Sequence, residues 1–218
     1  VGPKKWLGAT ATPRSGSLPP STPAEIHARF VALSGSGQIA SEFAIGGLQQ
    51  LIQQQRPEFV LEVGAGLGTL TATILDATDD RTALIYMEED DWCRNSLARN
   101  VGKHPNPRIA AGWWRRCWRA KDFHLPQYRA RDLLVLDGGS AELPPEYLNL
   151  DHRARIFVEG NRRQHRQSLE AQLDRGHRSW CRVQQKPYDR TKGFFLYQLD
   201  PTLGERLWYL AIRLREWF

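Results

Sequence analysis

The sequence predicts an α/β fold: a mostly parallel, twisted sheet with helices on both faces and an antiparallel strand pair at its end. Three stretches carry this reading. Phe59-Val60-Leu61-Glu62-Val63 is a short apolar run that enters the turn Gly64-Ala65-Gly66-Leu67-Gly68 and then a helical segment. Ala83 to Met87 repeats the pattern and closes on Glu88. Asp132-Leu133-Leu134-Val135-Leu136-Asp137 is nearly all apolar and runs into Gly138-Gly139, as a central parallel strand covered on both faces would.

Taken in order, residues 1–23 are rich in Pro, Gly, Ser and Thr and read as a surface arm. Thr22 followed by Pro23 starts a first helix, with the N-cap and first-turn residues helices prefer. Ser34-Gly35-Ser36-Gly37 breaks it, and Ile39 to Gln55 forms a second helix that ends before Pro57. Strand one is Phe59 to Val63, with its helix over Thr69 to Ala77. Strand two is Ala83 to Met87, with its helix over Asp91 to Asn100. A third strand is expected at Arg108-Ile109-Ala110-Ala111, a fourth over 132–137 and a fifth at Arg155 to Glu159. A helix then runs from Asn161 towards Leu173. Ser179 to Gln184 and Gly193 to Leu199 read as a hairpin around the turn-rich 187–192. The main domain thus covers 24–200. Residues 201–218 form an amphipathic helix with Leu203, Leu207, Leu210, Leu214 and Trp217 on one stripe, suited to packing on the domain or to a homodimer face.

Composition fits an enzyme domain. With 218 residues, 41% of them hydrophobic, the chain can bury one substantial core. Cys93, Cys117 and Cys181 cannot all pair and show no zinc spacing, so a reducing, cytoplasmic setting is expected. No run reaches the ~18 apolar residues of a membrane span.

The glycine turn permits positive φ and leaves room for a ligand against bare backbone. In α/β sheets such ligands settle at the carboxyl ends of strands, and an acid after the second strand holds ribose hydroxyls. Glu88 fits that place, with Glu89 beside it, while Asp90 or Asp91 starts the next helix. The spacing departs from the dehydrogenase pattern, because the third glycine comes one position early. Glu62-Val-Gly64-Ala65-Gly66-Leu-Gly68 together with Tyr-Met-Glu88-Glu89-Asp90 resembles motifs I and II of the class I S-adenosylmethionine-dependent methyltransferases. That resemblance implies a Rossmann-like methyltransferase fold. It implies that Glu62, Gly64, Ala65, Gly66 and Gly68 approach the methionine part of S-adenosylmethionine, and Glu88 its ribose. The family often reads adenine with a small or acidic residue after strand three. No acid stands there, and Trp113 is the candidate to stack on the ring, unless Trp113 and Trp114 pack a helix onto the sheet.

Asp137 leaves strand four beside the expected cofactor, and Glu159 and Asn161 leave strand five on the same rim. Two acids and an amide are hard oxygen donors suited to a divalent cation. The arrangement resembles the small-molecule O-methyltransferases of the catechol and caffeoyl-coenzyme A type, in which an Asp after strand four and an Asp-Asn pair after strand five hold Mg²⁺. The present Glu159-Gly160-Asn161 departs from that pair. Without a metal, Asp137 or Glu159 would orient the acceptor or act as general base. In a purely structural role, Asp137 would cap the Gly138-Gly139 turn and Glu159 would pair with Arg162.

The net charge of +6 gathers in arginine clusters at 115–119, 129–131 and 162–166. Arginines at the start of the helix after strand five suit an anionic group on the substrate; His165 there reads as a surface residue. No RNA-binding module is visible, so nucleic acid is not the expected partner. The sequence therefore points to methyl transfer to a hydroxyl oxygen of a small molecule. An RNA or protein methyltransferase and a non-catalytic cofactor-binding module stand as alternatives.

Overall fold

A computed structural model of the chain describes residues 21–79, 82–102, 116–118, 131–139, 141–185 and 193–215. Helix α1 (Pro23–Val31) opens with a capping box in which Thr22 and Glu25 satisfy each other's backbone amides. A 3₁₀ turn (Ser36–Gln38) leads to α2 (Glu42–Gln55), capped by Ser41. Strand β1 (Phe59–Val63) and helix α3 (Thr69–Ala77) follow, then β2 (Ala83–Met87) and α4 (Asp91–Gly102). The remaining elements are β3 (Arg116–Trp118), β4 (Arg131–Leu136), a 3₁₀ turn (Pro145–Leu148), β5 (Leu150–Glu159), α5 (Arg163–Arg175), β6 (Trp180–Gln185), β7 (Phe194–Leu199) and α6 (Leu203–Arg215).

The described strands form one seven-stranded sheet in the order β3-β2-β1-β4-β5-β7-β6. Strands β1 to β5 are parallel; β7 runs antiparallel to both β5 and β6. The chain builds outward from β1 through β2 to β3, then returns to lay β4 on the other side of β1. The strand order reverses between β1 and β4, and the carboxyl ends of the strands at such a point are the usual ligand position in sheets of this kind.

Every residue of β1 is buried, because hydrophobic layers lie against both faces of the sheet. On one face Val60, Leu84, Leu133, Val135, Phe157 and Leu196 meet Phe30, Ile45, Leu48, Leu70 and Leu97 from α1 to α4. On the other, Leu61, Ile85, Leu134, Ile156, Val158 and Tyr197 meet Tyr147, Leu169 and Leu173. The first layer is keyed by aromatics: Phe194 stacks on Phe157 with centroids 4.6 Å apart and also meets Phe43. Gly47 of α2 makes room for that stack, since a Cβ there would lie 2.2 Å from the Phe194 ring.

Several sequence expectations shift. The strand that pairs with β2 is Arg116–Trp118, inside the Trp-rich stretch; the expected strand at 108–111 lies outside the described residues, as do Trp113 and Trp114. Strand β5 begins at Leu150, five residues before the expected start, and its register slips against β4 between Arg131 and Leu133. Arg153, with φ of 66°, marks the irregular part. The connection 186–192 and most of the N-terminal arm, 1–20, also lie outside the described residues. Ser21 is anchored, donating its backbone N–H to Asp76 at 2.6 Å. Among the described residues no helix is long and apolar enough to cross a membrane.

Phe157 is fully buried against the Phe194 ring. Its replacement by Ala is expected to cost about 3–5 kcal/mol, read as a lower urea midpoint with an unchanged slope.

Candidate active site

The glycine turn after β1 takes a backbone path closed to most other residues. Gly64, Gly66 and Gly68 have φ of 81°, 54° and 97°. Gly64 also lies against the turn after β4, and a Cβ there would come within 2.4 Å of the Gly138 backbone. The two turns are therefore packed directly against each other. The amides of Gly64 and Ala65 both donate to the Met87 carbonyl, at 3.0 and 2.9 Å, and Asn100 of α4 donates to the Leu67 carbonyl at 2.9 Å. Helix α3 starts at Gly68 with no side-chain cap on its first amides.

Glu88 stands at the end of β2 and is almost wholly buried. It accepts the Gly66 amide at 2.5 Å on one oxygen and the Asp90 amide at 2.8 Å on the other. The acid expected to hold a ribose thus also pins the tip of the glycine turn. Asp90 in turn accepts the Cys93 amide at 2.7 Å and so caps α4; Glu89 is exposed beside it. Trp92, one turn further on, rests its ring against Gly35 and stays about half exposed.

Glu62 lies within β1 with no exposure. Thr71 of α3 donates to its Oε2 at 2.7 Å, while Oε1 is buried with no hydrogen-bond partner among the described residues. Burial, and secondarily the nearby Glu88, push the Glu62 carboxyl up to about 8.

On the other side of β1, Asp137 follows β4 and Glu159 ends β5, their side chains 9% and 4% exposed. Arg162, three residues past Glu159, spans them: its Nη2 lies 3.0 Å from Asp137 Oδ1 and 3.6 Å from Glu159 Oε2. Burial and the Glu159 charge raise the Asp137 carboxyl well above its ordinary value, with Arg162 pulling the other way. Asn161 is exposed and accepts a hydrogen bond from Arg166 at 3.1 Å. His165 donates to the Gly139 carbonyl at 2.9 Å, tying the start of α5 to the β4 turn.

The structure therefore brings Glu88, Glu62, Asp137 and Glu159 to the same edge of four adjacent strands, β2-β1-β4-β5. It does not bring Asn161 into that group. The trio expected to hold Mg²⁺ does not fit an ion: the guanidinium of Arg162 already occupies the two carboxylates, and the amide is turned to Arg166. No group of three His, Cys, Asp or Glu among the described residues is arranged to hold a metal. Pairing of Glu159 with Arg162 was readable from their spacing. The second contact, to Asp137, depends on β4 and β5 being neighbours. Two of the three arginines expected to greet a substrate anion are engaged internally: Arg162 here, and Arg166 with Asn161 and over the Phe195 ring at 3.8 Å. Thr71, the partner of Glu62, gave no signal in the sequence beyond its place on the helix after the turn.

A parallel sheet with reversal between β1 and β4, a three-glycine turn, an acid after β2 and an antiparallel β7 between β5 and β6 agree with what solved structures share. The fold is that of the class I methyltransferases. No family model matches the chain, and no curated protein is significantly similar to it. Solved structures share the fold at low identity. An O-methyltransferase from Bacillus cereus, in complex with SAH, superposes with a TM-score of 0.63 at 14% identity, over 90% of this chain and 96% of its own. The O-methyltransferase TomG from Streptomyces achromogenes, in complex with SAM, gives 0.61 at 11%, over 91% and 95%. A precorrin-6y C5,15-methyltransferase from Geobacter metallireducens gives 0.56 at 10%, over 76% and 92%. The likeness to the Bacillus cereus enzyme thus extends over most of the chain.

Because its pKa is raised from 4.5 to about 8, Glu62 holds its proton more tightly in the folded chain than in the unfolded one. Its contribution is full below pH 4.5 and is lost as pH rises towards 8. Glu62→Gln keeps an acceptor for Thr71 but removes the titration. The variant is expected to match the wild type near pH 5 and to exceed it at pH 9 by at most about 5 kcal/mol, measured by thermal melts across that range. A gap that does not widen with pH would show that Glu62 does not titrate there.

Proposed function

We propose that the chain is an S-adenosylmethionine-dependent methyltransferase that acts on a hydroxyl oxygen of a small molecule. The observation that carries this reading is the closed contact of the glycine turn with both Glu88 and Gly138. It builds a bare-backbone seat flanked by acids at the reversal point of a methyltransferase fold. The cofactor supplies the chemistry, an electrophilic methyl group on a sulfonium.

In this reading Gly64, Ala65, Gly66 and Gly68 admit the methionine part against backbone, and Glu88 accepts the ribose hydroxyls. Each of its oxygens already accepts one amide and has lone-pair capacity for more. Glu62 and Asp137 place two more carboxyls on the same edge, where a cationic cofactor would favour their ionised forms. Asp137 is the base. It follows β4 at the carboxyl edge of the sheet and takes the hydroxyl proton as the methyl group passes to oxygen, leaving S-adenosylhomocysteine. A carboxylate whose pKa is raised by burial is a stronger base once ionised. Mg²⁺ has no part in this scheme, since Arg162 fills the place between the two acids. The proteins that share the fold include O-methyltransferases, which supports oxygen as the accepting atom; the acceptor is read as a small, uncharged or weakly acidic hydroxyl compound.

Calorimetric titration tests this directly. S-adenosylhomocysteine is expected to bind with a stoichiometry of one, and NAD not at all; absence of both would end the methyltransferase reading. Glu88→Ala is expected to weaken the binding by about 1.5–3 kcal/mol, the scale of a charge-assisted hydrogen bond. Asp137→Asn is expected to keep S-adenosylhomocysteine affinity and to lower kcat about 10²–10⁴-fold in a methyl-transfer assay on a phenol panel. Equal turnover by this variant would remove Asp137 from the chemistry.

A further inference from the structure

We infer that Arg162 is a built-in cation of the acceptor site: it holds Asp137 and Glu159 in the arrangement that a divalent ion would otherwise impose, and its removal would open a metal site. The inference rests on the reading of this edge of the sheet as a methyltransferase acceptor site, but the contacts behind it are independent of that reading.

The two carboxylates end neighbouring strands and are both deeply buried, and Asp137 feels the charge of Glu159. Two buried carboxylates in one cleft repel, and they persist as ions only with a positive charge between them. Among the described residues Arg162 reaches both, at 3.0 and 3.6 Å. Its backbone explains how. Arg162 is the residue before α5, in a non-helical conformation with φ of −82° and ψ of 72°, and its side chain makes no capping bond to the helix. The side chain turns instead towards β4 and β5. The loop is held in that pose from both sides: the Arg163 amide donates to the Asn161 carbonyl, and His165 donates to Gly139. Asn161, displaced outward, is held by Arg166.

A guanidinium and a divalent cation do different work at the same place. Both neutralise and orient, but a guanidinium does not bind the acceptor oxygen as a Lewis acid and does not lower its pKa. Proton removal then falls to a carboxylate, and Arg162 acts as a positioning residue that sets the Asp137–Glu159 geometry. Without Arg162 the two carboxyls ionise together only if another cation takes its place, and as hard oxygen donors they take Mg²⁺ or Mn²⁺ in exchange for protons, with waters completing the shell.

The experiment is Mn²⁺ titration of the whole chain, followed by electron paramagnetic resonance of the free ion. Wild type, Arg162→Ala, Arg162→Gln and Arg162→Lys are compared at neutral pH. Wild type and Arg162→Lys are expected to bind no stoichiometric Mn²⁺. Arg162→Ala and Arg162→Gln are expected to bind one ion at least about tenfold more tightly, and a second substitution, Asp137→Asn, should abolish that gain. Methyl transfer by wild type should be unchanged by EDTA. The inference is overturned if wild type binds Mn²⁺ through Asp137, or if either neutral variant, folded by its melting curve, gains no ion. It is equally overturned if EDTA abolishes wild-type turnover. Titration of the same four proteins with S-adenosylhomocysteine separates the two readings. Loss of that binding in wild type would sink the methyltransferase function and leave the Mn²⁺ result standing.

Discussion

Four carboxylates share one edge of the sheet, and the local structure around it is arranged to tolerate them. Glu88, Glu62, Asp137 and Glu159 come from adjacent strands, all at the carboxyl end, all largely shielded from water. Burying four negative charges in a row is prohibitive unless each is neutralised, hydrogen-bonded or protonated. The structure uses all three means. Backbone amides at the turn tip and at the α4 start serve Glu88, Thr71 and a raised pKa serve Glu62, and Arg162 serves Asp137 and Glu159. The compensation is graded along the edge, from dipoles at β2 to a full cation at β5.

The glycines make this edge possible by letting two turns touch. With Gly64 against Gly138, the β1 and β4 ends close to backbone contact, and the acids on either side share one small volume. Helix α3 takes part from behind. It starts at Gly68 without a side-chain cap and delivers Thr71 to Glu62 within its first turn. The same residues thus shape the seat and hold its charges.

Much of this was legible in the sequence, and the rest was not for specific reasons. Strand β1 and helix α3 were readable to the residue, because glycines and the apolar run punctuate both ends. Strand β3 was missed because it has three residues at a sheet edge and carries no apolar run of its own. The Asp137–Arg162 contact joins residues 25 apart, and it follows only from the strand order, which no local pattern encodes. Arginines before a helix read as anion binders on local electrostatics. Tertiary structure supplied the anions from within the chain.

The position of β7 bears on how the chain reaches this state during synthesis. It is made after β6 yet lies between β6 and β5. A nascent chain that ends before residue 194 presents the backbone edge of β5 unpaired, while β6 has no strand to join. Both faces of that interrupted sheet are apolar, and an open apolar edge invites pairing with other chains. The 25 residues from Phe194 onwards therefore decide whether the sheet made before them is closed or left with an open edge.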